Sequence, residues 1–129
     1  GVRRQVAVAT GWVEAERGFT GVVPPWQYYR GPAFYAMQRG AVYRMLGRSE
    51  PRSTDLAIEE ITTGVAGLPE QMRTAEWVGD YLCQLVLAYR QVGDRAGAED
   101  ALRQVRAIAT RCASTRLATW VADARTLGS

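Results

Sequence analysis

The sequence predicts an all-α fold of antiparallel helical hairpins, about six helices ending in a C-terminal capping helix, from three observations. No stretch sustains the period-two alternation of a half-buried strand, and the β-branched residues sit inside Ala-rich segments. Apolar side chains recur at i, i+3, i+4 and i+7, the spacing that gathers them on one helix face. Glycine and proline interrupt the chain at intervals of helix length.

The elements follow in chain order. Val6, Val8, Trp12 and Val13 fall on a first helix closed by Gly18. The stretch from Phe19 to Pro32 holds Gly21, Pro24, Pro25, Gly31 and Pro32, which predicts loop or short turns. A helix after Pro32 carries Phe34 to Leu46 and stops at Gly47. Its partner is expected to start around Ser53, Thr54 and Asp55 and to run to Gly67, with Ala57, Ile58, Ile61 and Val65 facing inward. Pro69, suited to a first helical turn, is expected to open a long helix carrying Met72, Val78, Leu82, Leu85, Tyr89 and Val92 until Gly93. Asp94 is a good N-cap for the next helix, whose stripe is Ala98, Ala101, Leu102, Val105, Ile108, Ala109 and Cys112. The cap helix follows Ser114, with Leu117, Trp120, Val121 and Ala124 on its inner face.

Aligning the chain on its turn glycines exposes a repeat. Gly11 lies seven residues before Gly18, Gly40 seven before Gly47, and Val86 seven before Gly93. Tyr43 and Tyr89 each stand four residues before a turn, and Ala57 and Ala98 are each followed four residues later by Ile61 and Leu102. Small residues at such positions let two helices approach, and large ones fill the gap from the facing helix. Leu85, Tyr89, Gly93-Asp94, Ala98 and Leu102 resemble the tetratricopeptide repeat (TPR), and Gly40, Tyr43, Gly47, Ala57, Ile61 and Pro69 resemble it with a longer turn between Arg48 and Ser53. The run PPWQYYRGPAFYAMQRGAVYRMLGR, with GLPEQMRTAEWVGDYL downstream, resembles the C-terminal repeat region of actinobacterial helix-turn-helix transcriptional regulators. That resemblance implies TPR-type hairpins and a role in sensing a ligand or partner. No DNA-reading hairpin with a basic recognition helix is evident in the chain.

The interval from Gly18 to Gly47 is 29 residues, short of the ~34-residue period of such repeats. Either the first hairpin lacks room for a normal second helix or residues are missing between Gly18 and Pro32. With 129 residues the chain reads as one repeat domain, either part of a longer array or completed by self-association.

Composition narrows the function. Hydrophobic residues make up 47% and charged ones 22%, far from the balance that keeps chains disordered. All 16 basic residues are arginine, spread along the chain and mixed with 13 carboxylates, so the net charge of +3 gives no dense basic stripe. There is no histidine, no CxxC, no P-loop, no GxSxG and no GxGxxG, so neither a metal, a cofactor nor an enzyme activity is expected. The absence of a signal peptide and of a long apolar run predicts a cytoplasmic chain without membrane contact.

What remains is a binding role. Under the resemblance, the first helix of each hairpin lines a concave groove, formed by Phe34, Met37, Ala41, Arg44 and Met45 from one repeat and Cys83, Leu87, Arg90 and Gln91 from the next. Arg44 and Arg90 follow the repeat tyrosines, and two guanidinium groups on neighbouring helices are able to hold an anion. The competing reading has each arginine closing its helix C-terminus. Trp26, Tyr28, Tyr29, Phe34 and Tyr35 form the densest aromatic stretch, either a binding patch or a plug for the short first hairpin. Cys83 reads as a groove residue or a buried thiol, and Cys112 as structural. The expected function is a regulatory domain binding a protein, a peptide or a small molecule, without direct nucleic-acid contact. The alternative is a homodimerisation module.

Overall fold

In the computed structural model, which describes residues 31–128, five α-helices follow one another: α1 (Pro32–Leu46), α2 (Pro51–Gly67), α3 (Glu76–Gln91), α4 (Arg95–Arg111) and α5 (Thr115–Gly128). A single 3-10 turn, Glu70–Met72, precedes α3. The all-α expectation holds over these residues. The helix expected around Trp12, the Gly18 turn and the aromatic residues Trp26, Tyr28 and Tyr29 lie outside them.

Helices α1 and α2 form one antiparallel hairpin and α3 and α4 a second, with α2 also against α3, α1 against α3, and α5 against α4. One continuous core runs through all five. Met37, Ile61 and Leu68 fill it at one end, Val78, Leu82, Val86, Leu102, Val105 and Ile108 in the middle, and Leu117, Val121 and Ala124 at the other. The repeat positions share their fate: Ala57 and Ala98 are buried, as are Ile61 and Leu102, and Gly40 and Val86.

The first hairpin is drawn together by glycine. A Cβ on Gly64 would stand 2.6 Å from Met37 Cγ and 2.7 Å from the Ala33 carbonyl oxygen, while Gly40 lies directly against Ile61 and Ala57. Each glycine thus lets the backbone of one helix meet side chains of the other at a distance no Cβ allows.

The two tight turns share one geometry. After α3, Asp94 N donates to Tyr89 O (2.9 Å) and Gly93 N to Arg90 O (3.2 Å); after α4, Ser114 N donates to Ala109 O (2.9 Å) and Ala113 N to Thr110 O (3.3 Å). Both are Schellman closures, which need a left-handed residue just past the helix. Gly93 supplies it at φ +77°, whereas Ala113 is forced into it at φ +50°. Asp94 then caps α4 by accepting from Gly97 N (2.9 Å), and Ser114 Oγ accepts from Leu117 N (3.2 Å) to start α5.

Three expectations are corrected here. The second helix begins at Pro51, not at the Ser53-Thr54-Asp55 cap, because proline supplies the first-turn φ; Ser53 and Thr54 are buried, with Thr54 against Gly47. Pro69 opens only the 3-10 turn, and α3 starts at Glu76 after an extended Ala75. Arg73 stabilises that break, its Nε donating to Leu68 O (3.0 Å) and its Nη2 to Ala66 O (2.8 Å), which satisfies carbonyls that α2 leaves open at its end. Cys112 is not in the core stripe. It is exposed at the C-cap of α4, where the chain has already turned, and its nearest partner is Thr74 O at 3.5 Å.

Candidate interaction site

The first helices of the two hairpins, α1 and α3, carry the predicted groove residues in matching register, 46 positions apart. Met37 and Cys83 correspond and are both buried; Ala41 and Leu87 correspond and are half-buried; Met45 and Gln91 correspond and are exposed, Met45 at 62%. Gln38 and Gln84 complete the series, both half-buried. Residues 38, 41 and 45 share one face of α1, and 84, 87 and 91 the same face of α3, because steps of three and four return to one side of a helix.

Several predicted groove residues are taken out of an open surface by this geometry. Met37 has no exposed area and packs against Gly64 in the hairpin seam. Phe34 is buried, its ring edge-on to Trp77 (centroids 5.8 Å apart), Tyr81 (6.1 Å) and Tyr35 (6.2 Å). Sequence reasoning placed Phe34 and Tyr35 in an aromatic patch but missed Trp77 and Tyr81, whose i, i+4 spacing on α3 was the available signal. Cys83 is enclosed between helices. Burial, with a smaller push from the Asp80 charge, raises its thiol to about 12 and keeps it protonated.

Both arginines stand in the last turn of their helices, as the helix-closing reading has it, and each also reaches across to another helix. Arg44 is buried, and its Nε donates to Gln84 Oε1 on α3. Burial, then the neighbouring Arg48 charge, lowers its guanidinium below the ordinary arginine value. Arg90 reaches from α3 to α5, its Nη2 donating to the Ala124 carbonyl at 2.8 Å. Each arginine therefore ties its own helix to another, α1 to α3 and α3 to α5. One N–H of each guanidinium is thus engaged, 40 and 34 residues downstream, on different helices.

A further tie runs from α5 back to α3. Arg116 pairs with Asp80 and with Glu76 (2.9 Å), and Ser114 Oγ donates to the same Glu76 carboxylate (3.1 Å). Those bonds, Asp80 first, raise the Arg116 guanidinium above its ordinary value. On the other hairpin, Arg39 of α1 meets Glu60 of α2 at 2.9 Å, an ion pair between the two helices.

The strip left open on the α1/α3 face is apolar and amide-lined. Ala41, Met45 and Leu87 give an apolar strip flanked by the amides of Gln38, Gln84 and Gln91. Gln38 Oε1 is enclosed and accepts no hydrogen bond among the described residues. An enclosed acceptor without a donor is costly. Gln84 uses its oxygen on Arg44, which points its amide nitrogen away from that bond.

Elsewhere, a pocket of about 400 Å³ lies at the start of α1 and the end of α2, lined by Pro32, Ala33, Ala36, Arg39, Thr63 and Leu68 among others. No group of His, Cys, Asp and Glu among the described residues is arranged to hold a metal ion, and none of the described helices is long and apolar enough to cross a membrane. Comparisons with models of known protein families, with curated proteins and with solved structures find no match to this chain.

Proposed function

We propose that this chain is a peptide-binding interaction domain whose hairpins are of TPR type, with α1, α3 and α5 as the first helices of successive units, serving a regulatory protein. The observation that carries this reading is the pair of open stripes, Gln38, Ala41 and Met45 beside Gln84, Leu87 and Gln91, held in one register by the Arg44 tie. Chemistry selects the ligand class. The strip itself offers apolar contact and side-chain amides, which suits a peptide backbone with a small or apolar side chain.

The experiment is selection of binders from a random peptide library on the full chain, followed by titration against variants. Met45→Glu and Leu87→Glu place charge on the strip without touching the core. Each is expected to weaken the selected peptide by about tenfold or more, the loss of a burial contact worth ~1.4 kcal/mol, at unchanged melting temperature. Binding that survives both changes removes the assignment.

Self-association is the second reading, favoured by the exposure of Met45 on the same strip. Sedimentation across a wide concentration range distinguishes them. A dimer abolished by Met45→Glu supports self-association, and a monomer throughout removes it.

A further inference from the structure

A second surface lies away from the α1/α3 strip, on the seam between α4 and α5. A groove of about 280 Å³ has a floor of Ala109, Ala118, Val121 and Ala122, with Arg106 on one bank and Arg125 on the other. It continues through Arg106 and Thr110 into a shallower depression of about 550 Å³ that adds Arg103, Ala107 and Arg111. Four arginines border this trough, and no carboxylate lines either part of it. Arg103 is paired with Asp100 at 3.1 Å, but Arg106, Arg111 and Arg125 make no ion pair among the described residues. The chain as a whole carries only +3, so this is a local concentration of charge.

We infer that this trough receives an acidic amphipathic helix of a partner protein. The floor is built from two sets of helical ridges, residues 118, 121, 122 and 125 on α5 and 106, 109 and 110 on α4, and such grooves are filled by the ridge of a further helix. Small floor residues let that helix approach closely, and the flanking arginines require carboxylates on both sides of its apolar stripe. A phosphate backbone would use the arginines and leave the apolar floor in contact with nothing. A second copy docking by this same face would bring Arg106 and Arg125 against their own equivalents, which charge repulsion opposes.

The test uses the full chain and three labelled probes: a helical peptide with an Ala/Leu stripe flanked by Glu, its counterpart with Lys in place of Glu, and a single-stranded DNA oligonucleotide. Fluorescence anisotropy at low salt is expected to show the Glu peptide binding about tenfold or more tighter than the Lys peptide, with affinity falling as salt rises. The double variant R106E/R125E should reverse that preference, and Ala122→Gln, which fills the floor without changing charge, should weaken the Glu peptide severalfold. Melting curves confirm that both variants fold, since all three positions are exposed. Equal binding of the two peptides, tighter binding of the DNA, or a Glu peptide indifferent to R106E/R125E would each overturn the inference.

Discussion

Ala113 and Gly93 occupy the same place in successive turns, yet only one has the side chain that the left-handed region penalises. Ala113→Gly is therefore expected to stabilise the fold by about 0.5–1 kcal/mol after the entropy of the freer unfolded chain is counted, and Gly93→Ala to destabilise it by a similar amount. Thermal melts of the two variants check the pair, and the opposite signs are the diagnostic feature. The cysteines make a second contrast. Cys83, held protonated to about pH 12, should resist iodoacetamide at pH 8 while exposed Cys112 reacts, as peptide mapping would show. The linkage sign follows: above the ordinary thiol value of 9.0 the unfolded chain loses a proton that the folded chain keeps, so Cys83 makes stability fall with pH between about 9 and 12. Replacing Cys83 by Ala should flatten that part of the stability profile. Register was legible at this scale, since Arg44 and Arg90 stand at equal distances from their turns. Side-chain destination was not, because it depends on which neighbouring helix comes within reach of a long arginine.

At the scale of the element, the hairpins were readable from glycine, proline and cap residues. Asp94 and Ser114 do what their side chains suit them for, and Gly47 and Gly93 end their helices. The misread boundaries share a cause: a local signal was outcompeted by tertiary packing. Ser53 and Thr54 look like caps but are buried under the α1 terminus, and Pro69 is separated from α3 by a turn that Arg73 fastens to α2. Cys112 fits the periodic stripe, yet the Schellman closure ends the helix before the period can be used. The seam of the first hairpin supplies the prediction proper to this scale. Gly64→Ala should destabilise by about 1–3 kcal/mol, because the added methyl meets backbone at Ala33 that cannot rotate away. Urea unfolding would measure it, and a neutral result would mean that α1 and α2 slide apart freely.

For the molecule as a whole, side chains join α1, α3 and α5: Arg44 to Gln84, Arg90 to the Ala124 carbonyl and, from α5 back to α3, Arg116 to Asp80 and Glu76. The Arg44–Gln84 bond holds α1 against α3, and under the proposed peptide-binding role that preorganisation lowers the ordering cost of binding. The partners of Arg44 and Arg90 were hidden from the sequence, since an arginine at a repeat position looks the same whether it is open to solvent or bonded across a helix interface. The most direct measurement is a map of backbone amide shifts while a library-selected peptide is titrated into the full chain. Peptide docking on the strip is expected to give the largest changes at Gln38, Ala41, Met45, Gln84, Leu87 and Gln91, with the outer faces of α2 and α4 unmoved. Changes centred on the outer face of α2, or spread evenly over the chain, would contradict it.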